Sequence, residues 1–520
     1  MEEKTLKKTL ALIMAAALAG SSLAGCGGKA DNSAPETKPA GSEADNGGAA
    51  QAEGTAEFPA IGTADVPVTV KVMIKDVFPD EEDVQLLREA INEKMAAHGQ
   101  YVNLEFMEPP AGSYATAVPI AMMNGDVEAD LIYFQGGDLA LAQQGLFEDL
   151  NPYVEKSTFI KSIMTDVNRK RMENYPYLIW LAPSRIQIPA MRKDWAAQLD
   201  SYEKLIADPT VDNYYNLFKE MKDKGLVEYA MTTDGGSGDS TVRLDSIFNQ
   251  AFGVTGTIVK EDGKWIFSKE SQAEKNKLEF YAKLYKDGLL DPEYLTDTWD
   301  TMEQKFYEGK TGIIAGTLSS TQIYDNKMRS VNGEESELVI LPPAKGVAQG
   351  YRAEDVTKEE RGFAMNIDSK NKDAAWAVLE FMASPEGRIL DKVGIEGKHY
   401  TVEDNKIVFT DRWPEWWARF WDTTNNFDPQ NPSLAQPVLT TVGQSAFDNL
   451  EKYIVQDVNI LVPEEMTPQW DAMTGYYKEY SADIIRGVKP IDAFDEMTAK
   501  WDEAGGTEFE SILVEELGNP

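Results

Sequence analysis

The run WPEWWARFW, Trp413 to Trp421, gathers four of the eleven tryptophans in this 520-residue chain. At about 100° per residue, Trp413, Trp416, Trp417, Phe420 and Trp421 fall within an arc of about 140°, which predicts one face of a helix. Such a face has two uses. It can pack against the body of the protein, or one or two rings, Trp413 and Trp417 among them, can stand out as platforms for the apolar C–H side of a ring-shaped polar solute. Polar groups are sought after strand ends, because in open α/β sheets ligands lie beyond the carboxyl ends of the strands. Asp76 follows a predicted strand in IKDVFPD, and Gln135 and Asp138 follow another in YFQGGD. A turn or helix-capping role is the alternative for each.

Covalent chemistry finds little support. GGSGD (Gly235–Asp239) and GQSAF (Gly443–Phe447) both fail the nucleophile-elbow pattern. EGKTG holds Gly-Lys-Thr, but Gln304 stands where a phosphate loop needs its upstream glycine. His98 and His399 are the only histidines, and no His-Glu-x-x-His motif exists. An acidic chain has carboxylates in plenty for a glycoside hydrolase, yet no motif favours that reading. NIDSKNKD offers oxygen donors without the rhythm of a calcium loop, so neither metal nor cofactor is expected.

The single cysteine, Cys26, sits in LAGC behind Lys4, Lys7, Lys8 and an uncharged run that is apolar at first and small at its end. That is the layout of a secretory leader, with an apolar heart too short to span a membrane. Leu23 to Cys26 resemble the lipobox of bacterial lipoproteins. The resemblance implies removal of residues 1–25 and diacylation of Cys26, a palmitate-type anchor at the outer face of the cell membrane. An ordinary secretory leader with a chance cysteine is the alternative. Residues 26–57 are rich in Gly, Ala, Ser, Pro and acid, and are expected to be a disordered tether. Its root-mean-square reach is about 30 Å.

A net charge of −37 argues against nucleic acid and anionic lipid surfaces as partners. It also disfavours a polyanionic ligand in general, although a local arginine could override that. The body from Phe58 onward reads as α/β. PVTVKVMI alternates as a strand, and Val84, Leu87, Ile91 and Met95 line one face of the following helix, which Gly99 stops. YVNLEFMEPP and Ala129–Phe134 return as strands, giving strand–helix–strand links of a parallel sheet. Helices DNYYNLFKEMKDKG, SQAEKNKLEFYAKLYKDG and WDTMEQKFYEG each end at glycine, and GFAMNI and DAAWAVLEFMASPEGRILDKVG supply a later strand and helix.

YNLFKEMKDKG, FYAKLYKDGLLDPEYLT, FYEGKTGIIAG, GFAMNIDSKNKDAAWAVLEFMASPEGRIL and GIEGKHYTVEDNKIVF together resemble the family 1 extracellular solute-binding proteins, in particular the long lipoprotein branch that serves carbohydrate ABC importers of Gram-positive bacteria. The resemblance covers most of 60–510. It implies a two-lobed periplasmic-binding-protein-like fold with a hinge and an interlobe ligand cleft. Lobe I would hold 58–172 with 360–400, and lobe II 173–359 with 401–520. It implies no enzyme, an oligosaccharide ligand, permease transmembrane subunits as partners, and a monomer. A peptide or other polar solute, or a sensor that reports to a signalling receptor, remains the alternative. By the same resemblance Trp299, at a helix start that faces the cleft in similar binders, and Trp180, before the first crossing, become candidate ring platforms. Arg185 in that crossing and Arg352 before the return crossing could fork onto hydroxyls or a uronate carboxylate, or form an interlobe salt bridge.

Overall fold

The structure, a computed structural model, describes residues 58–520 except 183–184, 237–239, 404–405 and 422–439. The leader, Cys26 and the tether lie outside the described residues.

Val68–Met73 alternates apolar and polar residues and forms the first strand, with Val70 and Val72 buried. The helix Glu82–Ala97 follows and buries Val84, Leu87, Ile91 and Met95, the four residues its spacing singles out. The chain then returns as strand Val102–Met107, parallel to the first. Leu131–Gln135 lies parallel on the other side, slightly later in sequence than expected. The late strand Arg361–Met365 joins it antiparallel, with Arg361 opposite Gln135. The first strand thus shares a sheet with a segment almost three hundred residues away, so the chain leaves this lobe and comes back.

A second four-stranded sheet has the order Tyr229–Met231, Thr311–Gly316, Ile188–Arg192, Leu338–Ile340. Ile188–Arg192 runs antiparallel to both its neighbours. Around this sheet the helices Val211–Asp223, Gln272–Lys286 and Trp299–Tyr307 form where the glycine stops predict them. The C-terminal helices Thr467–Ile485, Ala493–Trp501 and Thr507–Leu517 add Met473, Tyr477, Trp501 and Phe509 to its core. Each sheet has its own hydrophobic core, and the molecule is two-lobed.

Three expectations are corrected. DAAWAVLEFMASPEGRILDKVG is two helices, Lys372–Ala383 and Pro385–Lys392, because Ser384 turns extended and caps the second one through the Gly387 N–H. Pro385 then sits in the first turn, where its missing N–H costs nothing. WPEWWARFW is not a helix face. Only Trp413–Glu415 makes a single 3₁₀ turn, and Trp416 is extended. The buried Asp391 carboxylate accepts the backbone N–H groups of Arg419, Phe420 and Trp421, so these donors leave any helical ladder. The third correction follows from the second: Trp416, Phe420 and Trp421 join the core of the first sheet, not that of the second lobe.

Candidate functional site

A cavity of about 430 Å³ lies between the lobes, at the ends of strands from both sheets. From the first lobe, Lys75 and Asp76 reach it just past the first strand, and Tyr133 and Gln135 at the end of the third. Asp76 has φ 59°, a conformation that an aspartate tolerates better than most residues. Arg361 comes from the strand beside Gln135, donates its Nε–H to the Tyr133 hydroxyl at 2.7 Å, and lays its guanidinium 4.6 Å from the Trp180 ring.

The second lobe contributes a different chemistry. Strand Thr311–Gly316 ends at the cavity, and the helix Leu318–Asn332 starts there. Gly316 permits that close start, because a Cβ on it would stand 2.5 Å from the Tyr324 ring. Thr317 caps the helix, and Thr317, Ser319, Ser320 and Gln322 bring hydroxyls and an amide to the wall. Trp299 adds a ring, backed by the Arg243 guanidinium at 4.5 Å and held by an indole N–H to Glu303. Burial raises the Glu303 carboxyl above its ordinary pKa.

The remaining wall is the irregular 413–421 segment. Trp413 and Trp416 are buried, whereas Trp417 is 37% exposed. Arg419 is only 4% exposed, and its guanidinium lies 4.6 Å from the ring centroids of both Trp416 and Trp417. Lys392, the last residue of its helix, reaches toward Ser319 Oγ of the other lobe at 3.4 Å.

A pocket between two α/β lobes, ringed by indoles and hydrogen-bonding groups, is built to hold a molecule. A family model described as bacterial extracellular solute-binding protein matches residues 79–389 of this chain, more than half of it. The chain belongs to that family. It is a binding protein, not an enzyme. Its sequence is similar to Lipoprotein LipO of Bacillus subtilis, 21% identical over 326 residues, 58% of this chain and 62% of that protein. Its fold is similar to the N-glycan transport solute binding protein NgtS of Streptococcus pneumoniae, with TM-score 0.61 and 15% identity over 85% of this chain and 96% of that one. An alginate-binding protein, AlgQ2, has TM-score 0.60 and 16% identity over 86% of this chain and 96% of the other. The S. pneumoniae ABC-transporter substrate binding protein FusA, solved with kestose, has TM-score 0.60 and 14% identity over 86% and 97%.

In this solute-binding protein the cavity brings together Asp76, Gln135, Trp299, Trp413 and Trp417 of the nine candidate contacts. Four stand elsewhere. Asp138 is fully buried, accepts the Tyr177 hydroxyl at 2.8 Å, and has its pKa raised by that burial. Trp180 is in the first core, where it carries Arg361 on its face. Arg185 is engaged by Glu354 at 2.7 Å and Glu359 at 3.1 Å, which bind the two chain crossings to each other. Arg352 lies on a short strand paired with Ile454–Val455, outside the cavity lining. Residues missed from sequence are Arg361, Lys392, Arg419 and the hydroxyl row after Gly316. The strand-end rule that finds Gln135 would have found Thr317–Ser320 if applied to FYEGKTGIIAG. Arg419 stood in plain view, overlooked among rings.

Proposed function

We propose that this chain is the lipid-anchored binding subunit of an ABC importer, which captures an oligosaccharide in the interlobe cavity and delivers it to permease subunits in the membrane. One observation carries the reading: indole rings line the cavity together with hydroxyls and an amide, the complement of a sugar's C–H faces and hydroxyl edge. Asp76, Gln135, Trp299, Trp413 and Trp417 are the proposed contacts. Relatives of similar fold that are described as binding N-glycans or kestose support the solute class. The lipobox-like LAGC and the lipoprotein relative support anchoring through Cys26.

The lobes would hinge at the paired crossings around Arg185 and Glu354–Glu359, with 58–182 and 356–421 moving as one body. Solute stabilises the closed form by its higher affinity for closed than for open. No bond is broken.

The test is thermal melting of the full-length chain with a panel of neutral and acidic oligosaccharides. At about 100 times its dissociation constant a ligand adds about 2.7 kcal/mol to stability. A raised Tm with the sugar recovered intact is the expected result. Cleaved sugar would contradict a pure binder, and silence across the panel with Tm shifts from peptides would transfer the reading to a peptide importer. For the anchor, Cys26→Ser is expected to release the protein from the membrane fraction into the medium.

A further inference from the structure

The charge lining the cavity runs against the charge of the chain. Acidic residues outnumber basic ones 87 to 50 overall. Among the described residues that line the cavity, five carry charge and four of these are basic: Lys75, Arg361, Lys392 and Arg419, against the carboxylate of Asp76. At the chain's own ratio about two of the five would be basic. Lys75 and Asp76 stand 3.6 Å apart and largely cancel. Arg361 and Arg419 are left with no carboxylate partner among the described residues.

Arg419 is the most telling of them. Burying a guanidinium is costly unless an anion or a full set of acceptors meets it, and arginine cannot escape by giving up its proton. Other buried cations here are compensated. Arg243 holds Asp234 through two bonds of 2.9 Å, and Lys277 holds Asp245 and Glu274 at 2.8 and 2.9 Å. Arg171 meets the carbonyls of Leu178, Glu359 and Arg361, although its Nε too has no acceptor among the described residues. Arg419 donates to one carbonyl, that of Trp417 at 2.7 Å, and its buried Nε has no acceptor among the described residues. The carboxylate behind it, Asp391, is turned to the backbone N–H groups of residues 419–421. Stacking between two indoles offsets part of the cost, but a cation so placed lacks its anion.

The other features agree. Arg361 uses Nε on a hydroxyl and forms no ion pair with a described carboxylate. The 15-residue helix Leu318–Asn332 points its N-terminus, the end that favours negative charge, at the same cavity.

We propose that the solute is an anionic saccharide, whose ring carries a carboxylate or sulfate group received by Arg419 and Arg361. This rests on the saccharide reading above. The planar guanidinium suits a carboxylate or sulfate edge, with two parallel N–H···O bonds. The local cations thereby override the long-range repulsion of a chain at −37.

The experiment is competitive capture. The full-length chain is equilibrated with a mixture of equal masses of acidic oligosaccharides (hydrolysates of pectate, alginate and chondroitin sulfate) and neutral ones (hydrolysates of starch, mannan and galactan). Retained sugars are then identified by mass spectrometry. Acidic sugars retained in preference support the proposal. Carboxyl-reduced and desulfated pools then tell uronate from sulfate, since only removal of the recognised group abolishes capture. Neutral sugars retained equally or preferentially overturn the charge assignment and leave the saccharide reading standing. No sugar retained overturns both. Arg419→Gln and Arg361→Gln are each expected to weaken the captured acidic sugar about tenfold or more; unchanged affinity in both would overturn the assignment of those residues. Because Arg419 is packed between rings, Arg361→Gln, nearer the surface, carries the test if Arg419→Gln fails to fold.

Discussion

Two buried cations in this protein are treated in opposite ways. Lys277, deep in the second lobe, is enclosed by Asp245, Glu274 and Asn249. Burial alone would pull its pKa down, yet the two carboxylates outweigh that and hold it above the ordinary value. Arg419, at the interlobe cavity, has two indoles and one carbonyl. Burial lowers its pKa, and the neighbouring Asp391, Asp83 and Glu81 do not make up the loss. Where Lys277 serves the fold, its anions are built in. Where Arg419 lines the cavity, the anion is left to arrive.

The sharpest way to break this contrast is to remove each charge without removing bulk. Lys277→Met strands the buried Glu274 carboxylate and the half-buried Asp245 and is expected to cost about 3–5 kcal/mol, read by chemical denaturation. Arg419→Met takes away an unpaired buried cation and leaves an apolar chain between two rings. Its stability should stay level or rise, while capture of solute falls. Equal losses in the two variants would show that Arg419 is structural like Lys277.

A third region sharpens the rule from the opposite sign. Glu270 is surrounded by Asp502, Glu510 and Glu261 in the second lobe, and burial, followed by the repulsion of those acids, pushes its pKa up to about 7. A carboxyl without a cation can take a proton, a route closed to a guanidinium. The folded form binds that proton more tightly than the unfolded chain does. The resulting stability is therefore complete below about pH 4.5, the unfolded value, and is lost as pH rises through about 7. Urea midpoints at pH 5 and pH 8 should differ in the parent and differ less in Glu270→Gln.

Smaller still is the cap at the facing wall. Thr317 accepts the Ser320 N–H at 3.3 Å, and Thr317→Ala should lower stability by about 1 kcal/mol. A calorimetric Tm reads it. Because the hydroxyl also borders the cavity, solute affinity should fall in the same variant, whereas an uncapped helix far from the cavity would leave it unchanged.

Much of the fold was legible because it is written in local pattern. Val84, Leu87, Ile91 and Met95 declare a buried stripe, and Gly225, Gly288 and Gly309 adopt the positive φ that ends their helices. The placement of Asp76 and Gln135 at the cavity was legible for the same reason, since it needs only the strand and the strand-end rule. The 413–421 segment was not, since its helical spacing is overridden by Asp391, a tertiary partner some thirty residues earlier that collects three N–H groups. Periodicity cannot report an acceptor brought in by folding. Asp138, chosen for its place after a strand, and Trp180, chosen for its place before the first crossing, are both buried, and burial is set by tertiary packing that neither criterion reports.

The most direct test is a crystal structure of the full-length chain with a captured saccharide. The sugar is expected in the interlobe cavity, a ring against Trp417 and an acidic group within hydrogen-bonding distance of Arg419 or Arg361. A sugar bound outside the cavity, or inside it with both guanidiniums untouched, would contradict the account.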